Sequence, residues 1–216
     1  MKQTLLIAVL VLFACTAFAQ NKTEKKANKK GWISLFDGKT LEGWRVNENP
    51  QSFQVVDGAI KVDGPRAHLF YEGPVNNHDF KNFEFKAQVK TEPEANSGIF
   101  IHTKFQEGGW PEKGYEIQVN QTHGDWRKTG SVYSFADVKE VYVKDNEWYT
   151  EHIIVKDGKI TVKINGKVVV EYVESEDQNR PDNAGEKKLS SGTFALQAHD
   201  PKSVIYYKDI MVKPLK

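Results

Sequence analysis

The stretch EHIIVKDGKITVKINGKVVVEYV, residues 151–173, decides the fold of this chain. Its apolar and polar residues alternate, and strand side chains point to opposite faces of a sheet with a period of two, so the pattern predicts strands with one buried face. Asp157-Gly158 and Asn165-Gly166 interrupt the alternation with residues that tolerate the positive φ of tight hairpins. Three consecutive antiparallel strands are therefore predicted between residues 152 and 172.

Short alternating segments separated by turn residues recur along the rest of the chain. No stretch keeps a 3.6-residue period for the ten or more positions of a packed helix, and no repeat of 20–50 residues is visible. The other alternating segments are SFQVVDGAIKVDG, FEFKAQVKT, SGIFIHTKF, YEIQVN, GTFALQAHD and VIYYKDIMVKP. This pattern is typical of an all-β protein, and we predict a β-sandwich.

Residues 1–19 have the composition of a signal peptide, with an apolar run from Leu5 to Phe13 and Ala17-Phe18-Ala19 as a cleavage site. The run is shorter than the roughly 20 apolar residues that a membrane span needs. We therefore expect an exported protein, either periplasmic or secreted. Cys15 is the single cysteine of the chain, and lipid attachment to it as a lipoprotein is the alternative.

Residues 20–30, QNKTEKKANKK, are polar and basic without apolar periodicity, which predicts a solvated linker. Residues 31–216 then form one domain of ordinary size. The 30 basic and 29 acidic side chains are interspersed and give a net charge of +1, so charge does not favour nucleic acid as a partner.

The alternation gives three predicted strands a polar side. If these sides face one groove, a carboxylate, two imidazoles and two amides converge there, although polar sides of antiparallel strands ordinarily face water. We predict such a groove, with Tyr115, Ile117 and Val119 buried on the opposite face. The polar sides carry His102 with Lys104, Glu116 with Gln118, and Gln197 with His199.

Three longer polar connections, at 105–114, 120–131 and 174–191, separate the strands, and long loops on a rigid sandwich often carry function. Trp110 is predicted to be a platform on which a sugar ring stacks, because aromatic faces suit that contact. Arg127 is predicted either to contact a sugar hydroxyl or to be solvated in its loop.

A retaining or inverting glycosidase needs two carboxyl groups beside the scissile bond. Sandwich glucanases of the laminarinase type place theirs as Glu-x-Asp-x-x-Glu on one strand, where this chain has Glu116, Gln118 and Gln121. Glu116 is therefore not half of such a pair on this strand. Asp125 or Asp200 from a loop would have to supply a second acid.

Six segments in order resemble the 3-keto-disaccharide hydrolase domain family, long known only as a domain of unknown function. The resemblance covers essentially the whole mature chain. It implies a concanavalin A-like jelly-roll β-sandwich of two antiparallel sheets, and cleavage of glycosides whose sugar a separate oxidoreductase has first oxidised at C3. The segments are LFDGKTLEGW (35–44), NSGIFIH (96–102), GYEIQV (114–119), TGSVY (129–133), NEWYTEHIIVKDGKITVKINGKVV (146–169) and GTFALQAHD (192–200).

The chemistry that the resemblance implies needs only one carboxylate. A ketone at C3 acidifies the hydrogen at C2, so one base can start an elimination that expels the oxygen on C1, and water then adds to the enone. Such a route needs a base, an acid and groups that stabilise the developing oxyanion. The catalytic candidates are Glu116, His102 and His199, and the substrate-binding candidates are Gln118, Lys104, Tyr133, Gln197, Trp110 and Arg127.

Two further alternatives stay open at this point. His102, Glu116 and His199 would form a two-histidine, one-carboxylate site for a divalent metal if they met at one point, so the cofactor is undetermined. A noncatalytic carbohydrate-binding, lectin-like module is the alternative function, because the same sandwich serves lectins and a fold does not decide a function.

Overall fold

The protein, described here by a computed structural model over residues 27–28, 30–174 and 185–216, consists mainly of β-strands. The predicted signal peptide and most of the predicted linker lie outside these residues. In the part described, no helix is long and apolar enough to cross a membrane. The two helices are short 3₁₀ turns, Pro50–Ser52 and Val75–His78. The strands are β1 (Ile33–Ser34), β2 (Trp44–Val46), β3 (Phe53–Val56), β4 (Ala59–Asp63), β5 (Ala67–Tyr71), β6 (Phe83–Thr91), β7 (Asn96–Thr103), β8 (Tyr115–Asn120), β9 (Tyr149–Lys156), β10 (Lys159–Ile164), β11 (Lys167–Val173), β12 (Thr193–Ala198) and β13 (Val204–Pro214).

The strands form two antiparallel sheets that pack face to face. The larger sheet has the order β11-β10-β9-β6-β13-β4-β3, with β1 also paired to β13, and the smaller sheet has the order β2-β5-β12-β7-β8. Some neighbours are far apart in sequence, such as β6 with β13 and β5 with β12, so these pairings depend on long connections. The predicted all-β sandwich of two antiparallel sheets is confirmed.

The hairpins predicted between residues 152 and 172 are present. Lys156 pairs with Lys159 across the first turn, and Ile164 pairs with Lys167 across the second. Each two-residue loop has positive φ at both positions, at 50° and 81° in Asp157-Gly158 and at 49° and 84° in Asn165-Gly166. Positive φ at both positions is what a tight hairpin requires, since its twist then matches that of the strands.

The main core fills the space between the two sheets. The ring centroid of Phe194 on β12 lies 4.9 Å from that of Phe83 and 4.8 Å from that of Phe85, both on β6 of the opposite sheet. Aromatic pairs at this separation contribute about 0.5–1.5 kcal/mol each beyond the burial of their area. Tyr115, Ile117 and Val119 of β8 are fully buried in this core, as predicted.

A second, smaller hydrophobic cluster lies on the outer face of the five-stranded sheet. It consists of Phe70 of β5, Phe100 of β7 and Ala195 of β12, with Phe105 packed against it. Ala195 pairs with both phenylalanines across the strands, so the three side chains lie in one row. This face is therefore covered, and the covering loops enclose the candidate site.

Candidate functional site

A cavity of about 320 Å³ lies on the outer face of the five-stranded sheet. Ligand pockets generally span about 300–1,000 Å³, so this cavity is large enough for one small ligand. Its floor comes from β7, β8 and β12, and its walls come from the segments that follow these strands and from the connection that precedes β12. Six predicted site residues line it: Trp110, Glu116, Gln118, Tyr133, Gln197 and His199.

Glu116 supplies the one carboxylate among the described residues that line this cavity. Gln197 donates a hydrogen bond from Nε2 to Glu116 Oε1 over 3.0 Å. In the amide orientation that satisfies both of its polar atoms, Gln118 also donates to Glu116 Oε1, over 3.2 Å. A β-carbon added to Gly98 of β7 would lie 2.4 Å from the same oxygen, so the carboxylate occupies the space that a side chain would take.

The environment of Glu116 favours the protonated carboxyl group. Burial raises its pKa to about 7, although the positive charge of Lys187 and the hydrogen bond from Gln197 act in the opposite direction. Lys187 also lines the cavity, and burial lowers its pKa. A carboxyl group with a pKa near neutrality can both accept and return a proton.

His199 is the second group at the cavity that can transfer a proton. Its Nδ1 lies 2.7 Å from Oδ2 of Asp200, which also accepts a hydrogen bond of 2.8 Å from the Ser203 hydroxyl. The carboxylate fixes the orientation of the imidazole. The ring lies against Trp110, with 5.4 Å between centroids.

The alternative metal site of His102, Glu116 and His199 required the three side chains to meet at one point, and the structure does not bring them together, since both ring nitrogens of His102 bond backbone atoms of other segments. A different group, His123, His199 and Asp200, brings its potential ligand atoms within 4.8 Å of one another. The His123 Nδ1 accepts the backbone N–H of Asp125 at 3.1 Å, and His199 and Asp200 are bonded to each other. In this arrangement Nδ1 of His123 and Nδ1 of His199 are engaged by protein groups.

Tyr133 and Arg127 occupy different positions relative to the cavity. Tyr133 lines it, and its hydroxyl donates to Asp125 Oδ2 over 3.1 Å. Arg127 lies 3.5 Å from Asp125 and 3.3 Å from Asp137, and its guanidinium group lies 4.5 Å from the centre of the Tyr133 ring. Arg127 is not among the cavity-lining residues, so it orients Tyr133 rather than contacting the cavity directly.

His102 does not share the groove with Glu116, contrary to the prediction. Its ring nitrogens bond the backbone of two other segments, Nε2 to the Lys81 carbonyl at 2.9 Å and Nδ1 to the Ser190 amide at 3.1 Å. His102 has a φ of 53°, in the left-handed region, and this interrupts the alternation of β7. The side chain therefore packs against Phe83 and lines a separate cleft of about 670 Å³.

Lys104 also lies outside the groove that was predicted for it. It follows the end of β7, its side chain is 68% exposed, and its Nζ lies 3.9 Å from Glu186 Oε2. At this exposure such an ion pair contributes at most about 1 kcal/mol. The alternation that linked Lys104 to the site ends at the distorted backbone of His102.

Several lining residues were not identified from the sequence. Asn96 begins β7 on the side that carries Phe100, and Lys187 comes from the 174–191 connection. Lys187 is held at the cavity by a hydrogen bond of 3.3 Å from Nζ to the Pro111 carbonyl. The length of that connection was the available signal, but no pattern distinguishes Lys187 from its neighbour Lys188.

Comparison with known proteins shows the family of the chain. Residues 31–213 match the 3-keto-alpha-glucoside-1,2-lyase-like domain. The chain belongs to this family. A curated relative from Bacteroides thetaiotaomicron, named 3-keto-disaccharide hydrolase, is 27% identical over 195 residues, which are 77% of this chain and 67% of the relative.

Solved structures with a similar fold match the 3-keto-alpha-glucoside-1,2-lyase-like domain over most of its length. A candidate glycosyl hydrolase from Parabacteroides distasonis is 26% identical and superimposes with a TM-score of 0.74, covering 87% of this chain and 95% of its own. A Bacillus subtilis protein with a galectin-like fold is 13% identical with a TM-score of 0.60, covering 88% and 97%. The second likeness concerns the fold alone, and it agrees with the predicted concanavalin A-like class.

Proposed function

We propose that this protein cleaves 3-keto-glycosides, including 3-keto-disaccharides, by elimination across C1 and C2 followed by hydration, with Glu116 as the base. The observation that carries the proposal is that the described residues of the lining include one carboxylate, whose pKa burial raises to about 7. The name of the B. thetaiotaomicron relative supports the substrate class.

A single carboxylate is poorly suited to ordinary glycoside hydrolysis, which uses an acid together with a nucleophile or base. Asp125 and Asp200 are the nearest alternatives for a second acid, but neither lines the cavity. Asp125 is paired with Arg127 and Tyr133, and Asp200 is bonded to His199. Partners lower the pKa of both carboxyl groups, and hydrogen bonds already occupy the carboxylate oxygens that a nucleophile or base would use.

The elimination balances with two proton-transfer groups. Glu116 takes the hydrogen from C2, the electron pair forms the C1–C2 double bond, and the bond from C1 to the leaving oxygen breaks. Protonated His199 gives its proton to that oxygen. In the second stage His199 takes a proton from water as the hydroxide adds to C1, and Glu116, whose proton has exchanged with solvent between the two stages, gives a proton to C2. The net reaction is hydrolysis, and both groups recover their starting states.

The C3 oxygen gains negative charge during the first stage, so it needs positive charge or hydrogen-bond donors beside it. Lys187 is the cation that lines the cavity, and Tyr133 and Asn96 add a hydroxyl and an amide. Gln118 and Gln197 hold the carboxylate of Glu116. We assign stabilisation of the C3 oxygen to Lys187, because its charge acts over a longer distance than a neutral donor.

The experiment compares methyl 3-keto-glucosides of both anomers with their unoxidised parents. Release of methanol from the keto form alone is expected, since only the ketone acidifies C2. In deuterated water the product should carry deuterium at C2, because the hydrogen removed in the first stage is replaced from solvent. Release without deuterium at C2 would contradict the elimination. Binding without turnover of either form would favour the lectin-like alternative.

The proposal includes a supply of substrate and a location. A 3-keto-glycoside must come from an oxidoreductase that converts the C3 hydroxyl of a glycoside to a ketone.

We also propose export of the protein, with residues 1–19 removed and residues 20–30 serving as a linker. Mass spectrometry of the mature N-terminus tests this, and a lipid on Cys15 would contradict a freely diffusing periplasmic or secreted product.

A further inference from the structure

His68 of β5 lies under the candidate site with two polar atoms that have no partner. Its side chain is fully buried, and neither Nδ1 nor Nε2 has a hydrogen-bond partner among the residues that the structure describes. Buried polar groups without partners are uncommon because each costs about 1–3 kcal/mol. A ligand hydroxyl that reached the ring would satisfy these atoms.

The neighbouring strand carries a matching atom. Gln197 of β12 pairs directly with His68 across the strands, and its Oε1 is also buried without a partner in the described part of the chain. Its Nε2 is already used, since it donates to Glu116. The pair therefore offers an acceptor on Gln197 and both a donor and an acceptor on the neutral ring of His68.

His68 is a neutral imidazole in the folded protein. Burial is the main cause that lowers its pKa to about 3, and the positive charge of Arg66 acts in the same direction. One ring nitrogen then donates and the other accepts, which is the pattern that binds a hydroxyl group. A carboxylate or phosphate ligand would instead call for two donors.

The position of His68 sets how a ligand would reach it. Leu196 pairs with Ile99, so Gly98 lies beside Gln197, and the row His68, Gln197 and Gly98 crosses three adjacent strands. Neighbouring strands are about 4.8 Å apart, which places His68 roughly 10 Å from Gly98. The Glu116 carboxylate lies above Gly98. One sugar ring with its hydroxyl groups can extend between the two.

Trp110 closes the space above His68. The two rings meet edge to face with 5.6 Å between centroids, and Phe100 covers another side of the imidazole at 5.2 Å. Trp110 is 44% exposed, so its side chain has room to move outward. The backbone beside it is anchored, since the Gly109 amide donates to Glu48 Oε1 over 3.1 Å. Rotation of one side chain, with the loop in place, would open the imidazole to a ligand.

We propose that His68 and the amide oxygen of Gln197 form a hydrogen-bonding subsite, closed by Trp110 in this conformation, that binds hydroxyl groups on the sugar edge away from Glu116. This proposal rests on the proposed function, because that function determines which edge of the sugar ring faces Glu116. It makes His68 a specificity-determining residue that takes no part in proton transfer.

The test uses His68→Phe, which removes both nitrogens and keeps an aromatic ring. For methyl 3-keto-α-glucoside, KM should rise at least about tenfold with kcat little changed, since the lost hydrogen bonds contribute to ground state and transition state alike. The melting temperature should not fall, because an apolar replacement of an unpaired buried group is neutral or stabilising. Thr103→Val is the matched control: it also removes a buried polar atom without a partner among the described residues, here a hydroxyl, and it should leave KM unchanged.

A binding measurement separates this proposal from the proposed function. Wild type and His68→Phe are titrated with methyl α-glucoside and with its 4-deoxy and 6-deoxy analogues, none of which carries the ketone. At least one deoxy analogue should bind wild type more weakly than the parent, and the difference should disappear in His68→Phe. If this binding difference is observed but no keto form is cleaved, the subsite is supported and the proposed reaction is contradicted. An unchanged KM, equal binding of all three sugars, or no binding by wild type would each overturn the subsite.

Discussion

The carboxylate of Glu116 on β8 lies over Gly98 on β7 and occupies the space that a side chain at residue 98 would fill. A β-carbon at residue 98 would be 2.4 Å from Oε1, 2.7 Å from Cγ and 2.9 Å from Cδ of Glu116. The glycine is therefore required by space, and it fixes where the carboxylate can be. This contact leads to the first prediction.

Gly98→Ala should displace the Glu116 carboxylate while leaving the sheet intact. Turnover of a 3-keto-glycoside is expected to fall about 100-fold, since a catalytic group misplaced by about 1 Å can lose that much. Steady-state kinetics give the comparison. Gly124→Ala is the control, because no atom lies within 4 Å of a β-carbon at residue 124. Full activity in Gly98→Ala would mean that the observed carboxylate position is not needed.

Glu116→Gln should abolish proton transfer while keeping size and hydrogen bonding. We expect kcat to fall by roughly 100-fold or more, the usual scale of acid-base assistance, with little change in affinity. The exposed Glu147→Gln serves as the control for loss of a charge. Should Glu116→Gln remain fully active, the base would have to be sought at His199 or in the 120–131 connection.

The rate should depend on pH through Glu116. A base must be ionised, and burial raises the pKa of Glu116 to about 7, so kcat/KM should rise with pH up to about 7 and then level off on that limb. The profile of wild type from about pH 5 to pH 9 measures this. A midpoint near 4.5, the ordinary value for a glutamate, would contradict the assigned role.

The same group should make stability depend on pH. The pKa of Glu116 is raised in the folded state, so this residue ionises at a lower pH in the unfolded chain than in the folded protein. Its contribution to the free energy of unfolding is therefore most favourable below about pH 4.5 and decreases as the pH rises to about 7. Glu116→Gln removes this contribution. Urea unfolding should show the variant gaining stability relative to wild type between these pH values and keeping a constant advantage above them. A difference that does not change with pH would show that burial does not penalise the charge.

We expect His102 to have a structural role and His199 a catalytic role. His102→Asn retains a residue that tolerates positive φ but loses the bonds to Lys81 and Ser190, so the free energy of unfolding should fall by about 1–3 kcal/mol with kcat little changed. His199→Asn should lower kcat by 100-fold or more with a smaller effect on stability. Thermal melts and kinetics on both variants decide between them. Loss of turnover in a folded His102→Asn would restore His102 to the site.

Local pattern was sufficient to predict the fold and part of the site. Glu116, Gln118, Gln197 and His199 were placed on outward faces by alternation, and all four line the cavity. The prediction failed at His102, where one left-handed residue changes the direction of the side chain. Alternation assumes an extended backbone, and a single positive φ removes that condition without any signal in the residue type.

The sequence by itself determined the all-β class, the two tight hairpins and the inward side of β8, because these depend on a period of two residues and on turn residues that act locally. Only the tertiary structure decided that Lys187 reaches the cavity, that Gly98 makes room for Glu116, and that His68 and Gln197 lie side by side. These contacts join residues from 18 to more than 120 positions apart. Their proximity comes from strand order and register, which are set by packing of the whole sandwich rather than by any short segment.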